Sequence, residues 1–554
     1  MSLPTLYCWI PASPRLSQLY FTFSEITLLQ SDGLLLIMRN ILIRAEKATP
    51  MKRLSIFLPL AHAFNRKDST QRFLCNLGRA SVVIAMLVAG NVRAAPPPIS
   101  IPAMNDGSLS NQSEGLFGFL NGINRSNTLM GDMWGLRTGL SRYGMSLALL
   151  ETSEFLGNTS GGIHKGFEYD GLTQAVLQLN TQRAFGLYGG LFNISALQIH
   201  GNNLSTDNLQ TLQTASGIEA DRATRLWEVW YDQKFLEEDR LDIKIGQQSL
   251  DQEFMVSTNA LYFVNTMFGW AMLPSADLPG GGPAYPLSAL GARISARPMD
   301  GVTVLAGVFN GSPVSNNTGD PQLQNHTGTS FPLHGGALAI AELQFAYPAL
   351  GSMVEAGENP PLGRTYRVGA WYDSEQFNDQ RFDQTGLSLA NPGSIGAPET
   401  HRGNYAFYAV MDQLLWRNQK DPNRTLAVFA RVMGTPLADR NLIDFSMNAG
   451  FVYHSPFAYR TYDTFGMGVG YAHVSKQAGA LDQDTANFTN SFNPVRHSET
   501  FVEATYQYQA KPWLQVQPDI QFVFNPGAGL ADPNNPGQPI KNELVLGVRT
   551  NISF

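Results

Sequence analysis

From about residue 142 to the C-terminus, apolar side chains recur at every second position in one segment after another. In WLQVQPDIQFVF (513–524), Leu514, Val516, Pro518, Ile520, Phe522 and Phe524 alternate with Gln515, Gln517, Asp519, Gln521 and Val523. A period of two marks a strand whose two faces meet different surroundings. Read this way, the chain predicts 16 strands, near 142–154, 171–181, 187–199, 225–236, 241–248, 288–297, 301–310, 335–347, 364–374, 403–416, 424–434, 442–454, 462–474, 498–510, 513–524 and 543–553. In the last of these Leu544, Leu546, Val548, Thr550 and Ile552 share the apolar face. In 225–236 Trp227, Val229, Tyr231 and Phe235 oppose Glu228, Asp232 and Lys234. Pro518 has no N–H to give a ladder, so a bulge is expected there.

The connections sort by parity. Long links at 155–170, 200–224, 249–287, 311–334, 475–497 and 525–542 alternate with short ones such as 182–186, 237–240, 298–300, 417–423 and Lys511-Pro512. Links 348–363 and 435–441 depart from the rule. Long loops on one side and short turns on the other are expected of an outer-membrane barrel. Lipid then covers the apolar face, and closure leaves no unpaired edge. The predicted fold is all-β: a transmembrane antiparallel β-barrel over 142–554, preceded at 96–141 by a short, partly helical periplasmic or lumenal segment. Phe524, Tyr508 and Trp416, near strand ends, suit interfacial aromatic girdles. Phe554, the last residue, is the expected handle for the outer-membrane barrel assembly machinery.

Composition narrows the class. Charged residues make up 15% of the 554 positions, below the ~25% of a typical soluble domain. A formal net charge of −7, with no basic block or stacking motif, argues against a nucleic-acid partner. SVVIAMLVAG (81–90) follows Lys67, Arg72 and Arg79 and precedes Val92-Arg93-Ala94, so 51–95 is expected to be a signal-peptide region cleaved near Ala94/Ala95. A buried helix is the alternative. Residues 1–50 are expected to be an upstream extension or artefact. Cys8 and Cys75 both precede the cleavage point, which leaves the exported part without disulfide, thiolate or cysteine metal chemistry. The histidines show no H-E-x-x-H spacing, and neither G-x-S-x-G nor a P-loop occurs. No catalytic residue, metal or cofactor is therefore expected.

Parity also assigns the lumen. Arg293, Arg297, Glu228, Asp232, Lys244, Trp371, Gln517, Asp519 and Gln521 are the predicted pore-lining, substrate-contacting side chains, with Asp242, Arg367, Arg431, Glu503 and Arg549 among the other inward positions. Their signs are mixed. A phosphate pore needs a Lys/Arg staircase and a cation pore a carboxylate ring. A neutral polyol needs many donors and acceptors beside apolar ring faces, and this lining provides them. For each residue the alternative is simply a wet, mutually ion-paired wall. The link 249–287 carries Phe254, Tyr262, Phe263, Phe268 and Trp270. It is too apolar to stand in water and is expected to fold inward as a constriction, the alternative being an extra strand.

The C-terminal stretch ETFVEATYQYQAKPWLQVQPDIQFVFNPGAG (499–529) with ELVLGVRTNISF (543–554) resembles the carbohydrate-selective porins of Gram-negative outer membranes. Tyr506, Tyr508, Trp513, Pro518, Asp519, Gln521 and Asn525-Pro526 carry the match, and IKIGQQSLDQEF (243–254), LGARISARP (290–298) and VLAGVFNG (304–311) are similar too. The resemblance implies a 16-stranded barrel in the outer membrane, passing small neutral sugars such as glucose by facilitated diffusion, in contact with lipid and lipopolysaccharide. A homotrimer is an open alternative. A general diffusion porin, or a plugged structural or adhesive barrel, is the rival expectation.

Overall fold

The structure, a computed structural model, describes residues 128–554 apart from 316–318, 334, 349–360 and 492, together with the backbone of 19–31 and 34–45. The chain divides into two units, 1–90 and 91–554. In the first, Leu19–Ser31 and Leu34–Ala45 pair as an antiparallel ribbon. The expected signal-peptide region lies outside the described residues.

The second unit is built from strands β1 (Met145–Ser160), β2 (Gly166–Asn180), β3 (Gly190–Gly201), β4 (Ala223–Phe235), β5 (Leu241–Gln248), β6 (Ala289–Met299), β7 (Val302–Asn310) and β8 (Ala337–Tyr347). It continues with β9 (Arg364–Asp383), β10 (Pro398–Arg417), β11 (Thr425–Gly434), β12 (Ile443–His454), β13 (Thr464–Val474), β14 (Ser498–Lys511), β15 (Leu514–Phe524) and β16 (Glu543–Ser553). Each pairs antiparallel with its chain neighbours, and β16 pairs with β1, so the sheet closes on itself. No helix among the described residues is long and apolar enough to cross a membrane. The crossing is made by strands, whose backbone groups closure satisfies completely.

Side-chain alternation follows the barrel wall. On β15 Ile520 and Phe524 are exposed on the outside while Gln517, Asp519 and Gln521 are buried within. Outward Phe192, Ile194, Ile245, Ile294, Val308, Leu343, Val368, Phe407 and Val548 repeat this around the circumference. Tyr508, Trp416 and Phe524 are outward and exposed, as girdle positions must be.

Two local expectations need correction. Trp227, expected on the outer face, is buried. The register steps from Ser195–Glu228 to Ala196–Leu226, so Trp227 is the extra residue of a β-bulge, which turns its ring inward. Pro518, conversely, makes no bulge. Its register with β16 is continuous (Gln517–Arg549, Pro518–Val548), and the pairs Thr505–Asp519 and Tyr508–Val516 on the β14 side keep one alignment across it. The ladder merely skips Tyr506 and Gln507, on the side where the missing N–H would point.

β9 and β10 run well past their predicted ends at 374 and 403. The added stretch SEQFNDQRFD is polar on both faces, because water lies on both sides above the membrane, and so it carries no apolar period. Of the predicted N-terminal segment, Leu136–Arg142 is a short helix. Arg137 at its start donates to Thr128 Oγ1 (2.8 Å), to the Gly131 carbonyl (2.6 Å) and to the carbonyl of Phe554. Leu129 N–H reaches the Ser553 carbonyl at 2.8 Å. The segment is thereby tied to the short-turn end of the barrel beside the C-terminal residue.

Candidate functional site

The link between β5 and β6 folds into the barrel rather than away from it. It forms short helical turns, among them Thr266–Gly269 and Met272–Asp277, and no strand. A loop inside a closed sheet brings backbone N–H groups that no ladder can satisfy. Here carboxylates on the wall accept them. Glu342 (β8) takes Met255 N–H at 2.8 Å. Asp412 (β10) takes Ser257 Oγ at 2.7 Å and Asn259 N–H at 3.1 Å. Glu503 (β14) takes Val264 N–H at 2.7 Å and Asn265 N–H at 3.0 Å. Arg431 (β11) answers the opposite polarity, donating to the carbonyls of Met255 (3.0 Å), Gly269 (2.7 Å) and Met267.

Apolar contacts seat the same loop. Phe263 and Phe268 stack with centroids 4.3 Å apart, and Phe268 meets Phe429 and Phe501 edge-on at 5.7 and 5.4 Å. The wall leaves space for them: a Cβ on Gly468 of β13 would come within 2.6 Å of the Phe268 ring, and one on Gly466 within 2.9 Å of the Phe263 ring. The alternating glycines of GMGVG are thus the floor on which the loop's rings lie.

The predicted lining residues separate into groups. Asp232, Lys244 and Arg293 form one cross-strand row over β4, β5 and β6. Glu253 of the inward loop completes it, paired with Lys244 and placed 2.5 Å from Arg293 Nε. Arg293 also pairs with Asp242 and lies 3.9 Å from Asp232. Lys244 Nζ stands 4.3 Å over the Trp230 ring, and Glu228 accepts Ser249 N–H at 3.0 Å. Gln517, Asp519 and Gln521 sit on the opposite wall and anchor loops. Gln517 donates to the Tyr262 carbonyl at 2.8 Å. Gln521 donates to the Ala215 carbonyl at 2.8 Å and to Asp519 at 3.0 Å, and accepts from Asn265 Nδ2 at 3.1 Å. Trp371 is buried in the apolar cluster under the loop. Arg297 lies apart, binding the carbonyls of Glu238 (2.7 Å) and Asp239 in a short turn.

Glu253, Glu342 and Asp412 were missed by the sequence reading. A lone acid in otherwise apolar strands (AIAELQF, AVMDQLL) was the available signal for the last two. The β2–β4 wall carries another set. Gln174, Leu197 and Arg225 align in one row across these strands. Asp170 Oδ2, Gln174 Nε2, Asn193 Nδ2 and all three Arg225 guanidinium nitrogens are buried without a hydrogen-bond partner among the described residues. At the outer mouth a cavity of about 470 Å³ is lined by residues including Asp277, Leu278, Glu375, Gln376, Phe377, Gln380, Thr400 and Arg440. That size lies within the ~300–1,000 Å³ of small-molecule pockets.

Comparison with known proteins agrees with this geometry. The chain is similar to Porin B of Pseudomonas aeruginosa, with 24% identity over 451 residues, covering 77% of this chain and 92% of that one. It is also similar to the putative porin QuiX of Acinetobacter baylyi, with 21% identity over 77% of this chain and 93% of the relative. The high-pH structure of Pseudomonas putida OprB superimposes with a TM-score of 0.67 at 24% identity, over 77% of this chain and 99% of that one, and so shares the fold. Residues 164–554 match the model of the carbohydrate-selective porin, OprB family. A closed 16-strand barrel with a polar lumen, crossed by an anchored inward loop, therefore has its place: the chain belongs to the carbohydrate-selective porin family of outer-membrane channels.

Proposed function

We propose that the chain carries small neutral sugars, monosaccharides such as glucose, across the outer membrane by facilitated diffusion without energy coupling. The observation that supports this most is the composition of the narrowed lumen. Opposed charges are already paired in the Asp232–Asp242–Lys244–Arg293–Glu253 group, three carboxylates against two cations, so neither a cationic staircase nor an open carboxylate ring is offered to an ion. Beside them Asp170, Gln174, Asn193 and Arg225 add donors and acceptors to the same wall, buried in this conformation and without a partner among the described residues. A sugar enters at the mouth cavity, passes between the β2–β6 wall and the inward loop, and exchanges part of its hydration for these contacts. The contacts must be individually weak, since a tightly held solute would not leave.

Swelling of proteoliposomes tests the proposal. Monosaccharides are expected to enter faster than zwitterionic amino acids of similar mass. Equal rates would favour a general diffusion porin, and no swelling a plugged barrel. Arg293→Ala, which takes the guanidinium from Asp232 and Asp242 and leaves Glu253 with Lys244 alone, is expected to weaken sugar binding roughly tenfold (~1.4 kcal/mol). Unchanged binding would remove that row from the path.

A further inference from the structure

The outer ends of β9 and β10 extend above the barrel as a hairpin, and one face of it gathers metal-ligand chemistry. Phe377 pairs with His401 and Asn378 with Thr400; just beyond, the register shifts before Asp383–Pro398, and Asp379 lies beside Glu399 and His401 at this break. Residues 399 and 401, two apart on one strand, share a face. The ligand atoms of Asp379, Glu399 and His401 all lie within 4.8 Å of one another. His401 Nε2 is 2.7 Å from Asp379 Oδ2 and 3.9 Å from Asp439 Oδ2, which belongs to the link between β11 and β12. Sequence spacing did not show this group, because its members come from two strands.

The carboxylate at its centre is held in place. Asp379 is only 5% exposed, and its Oδ1 accepts both Arg381 N–H and Phe382 N–H at 2.7 Å. That fixes the carboxylate and aims Oδ2 at the imidazole. Glu399 is exposed and free to swing toward the pair. Ligand atoms ~2.1 Å from a metal stand roughly 3.0–3.4 Å apart, so the 2.7 Å contact needs only a slight opening to admit an ion. One imidazole with two carboxylates suits zinc-class ions, whereas Mg²⁺ prefers an all-oxygen, largely hydrated shell.

We propose that Asp379, Glu399 and His401 form a binding site for a zinc-class divalent cation on the extracellular rim. A bound ion ties the outer end of β9 to β10. Their immediate neighbours Asn378, Gln380 and Thr400 line the mouth cavity, so the ion stiffens one side of the pore entrance. The site stands independently of which sugar passes.

The test is calorimetric titration of ZnCl₂ into the purified full chain, free of any histidine tag, stripped with chelator and held in detergent micelles. One saturable site is expected, with no saturable heat from MgCl₂. His401→Ala is expected to lower Zn²⁺ affinity roughly tenfold or more, and Glu399→Gln by less. Heat-modifiable gel mobility reports barrel folding for each variant; Glu399, being exposed, keeps the test available should His401→Ala fail to fold. Absence of saturable Zn²⁺ binding to the parent chain would overturn the proposal. So would wild-type affinity in the folded variants.

Discussion

At the residue scale, wall carboxylates decide where the inward loop lies. Asp412 carries several of its contacts at once: Ser257, Thr258 and Asn259 of the loop, and Arg367 of the wall, whose Nη1 is 2.9 Å away. Asp412→Ala strands a buried guanidinium and frees the loop amides together. The expected cost is ~3–5 kcal/mol, read as a lower unfolding temperature of the barrel and larger current fluctuations in single channels. A variant as quiet and as stable as the parent would show that Asp412 does not hold the loop. Parity made the inner face legible at this scale, including Arg293, Gln517 and Gln521, because a closed sheet turns strict alternation into inside and outside. It failed at Trp227, where one inserted residue reverses the count. It also could not say what an inward residue touches. Gln517 and Gln521 hold loops, and Arg297 holds a turn, since their partners are distant in sequence.

At the element scale, the glycines of β13 and the rings of the inward loop form one fitted surface. Gly468→Val puts a branched side chain where the Phe268 ring now lies. The ring must leave its site against Phe429 and Phe501, and the loop must shift toward the pore axis or off the wall. A changed unitary conductance is expected, and conductance equal to the parent's would contradict the seating. The loop's inward course was legible from its crowded aromatics, which water would not tolerate. Its anchors were not, because a carboxylate that accepts an amide looks like any other lumenal acid. The helix Lys476–Thr489 lies in the loop after β13 and docks on β9. Arg381 Nε donates to Asp484 at 2.8 Å, and this hydrogen-bonded guanidinium holds the Asp484 carboxyl below the usual carboxylate range. A depressed carboxyl adds stability above its unfolded pKa of ~3.9 and loses it as pH falls through the lower folded value. Docking of this helix on β9 should thus be unaffected near neutrality and loosen only below about pH 4. The effect is at most ~1 kcal/mol, as expected for a partly exposed pair. Hydrogen exchange across 476–489 measures it, and loosening above pH 5 would contradict the assignment.

At the scale of the whole molecule, closure explains why so much of the fold was readable. Sixteen strands, each joined to its chain neighbours and closed by the single β16–β1 pairing, leave little long-range topology to guess, and lipid removes the need for a second packing layer. What fell short were the extensions above the membrane, where water on both faces erases the apolar period, and the site built between β9 and β10 there. The proposed function requires the lumen to be an open channel that binds a passing sugar weakly. Planar-bilayer recording on the purified protein tests it most directly. The prediction is a steady ionic current that falls saturably as monosaccharide is added, and that is not reduced to the same degree by a polyethylene glycol too large to enter. No channel current, or a current that follows solution viscosity alone, would contradict it.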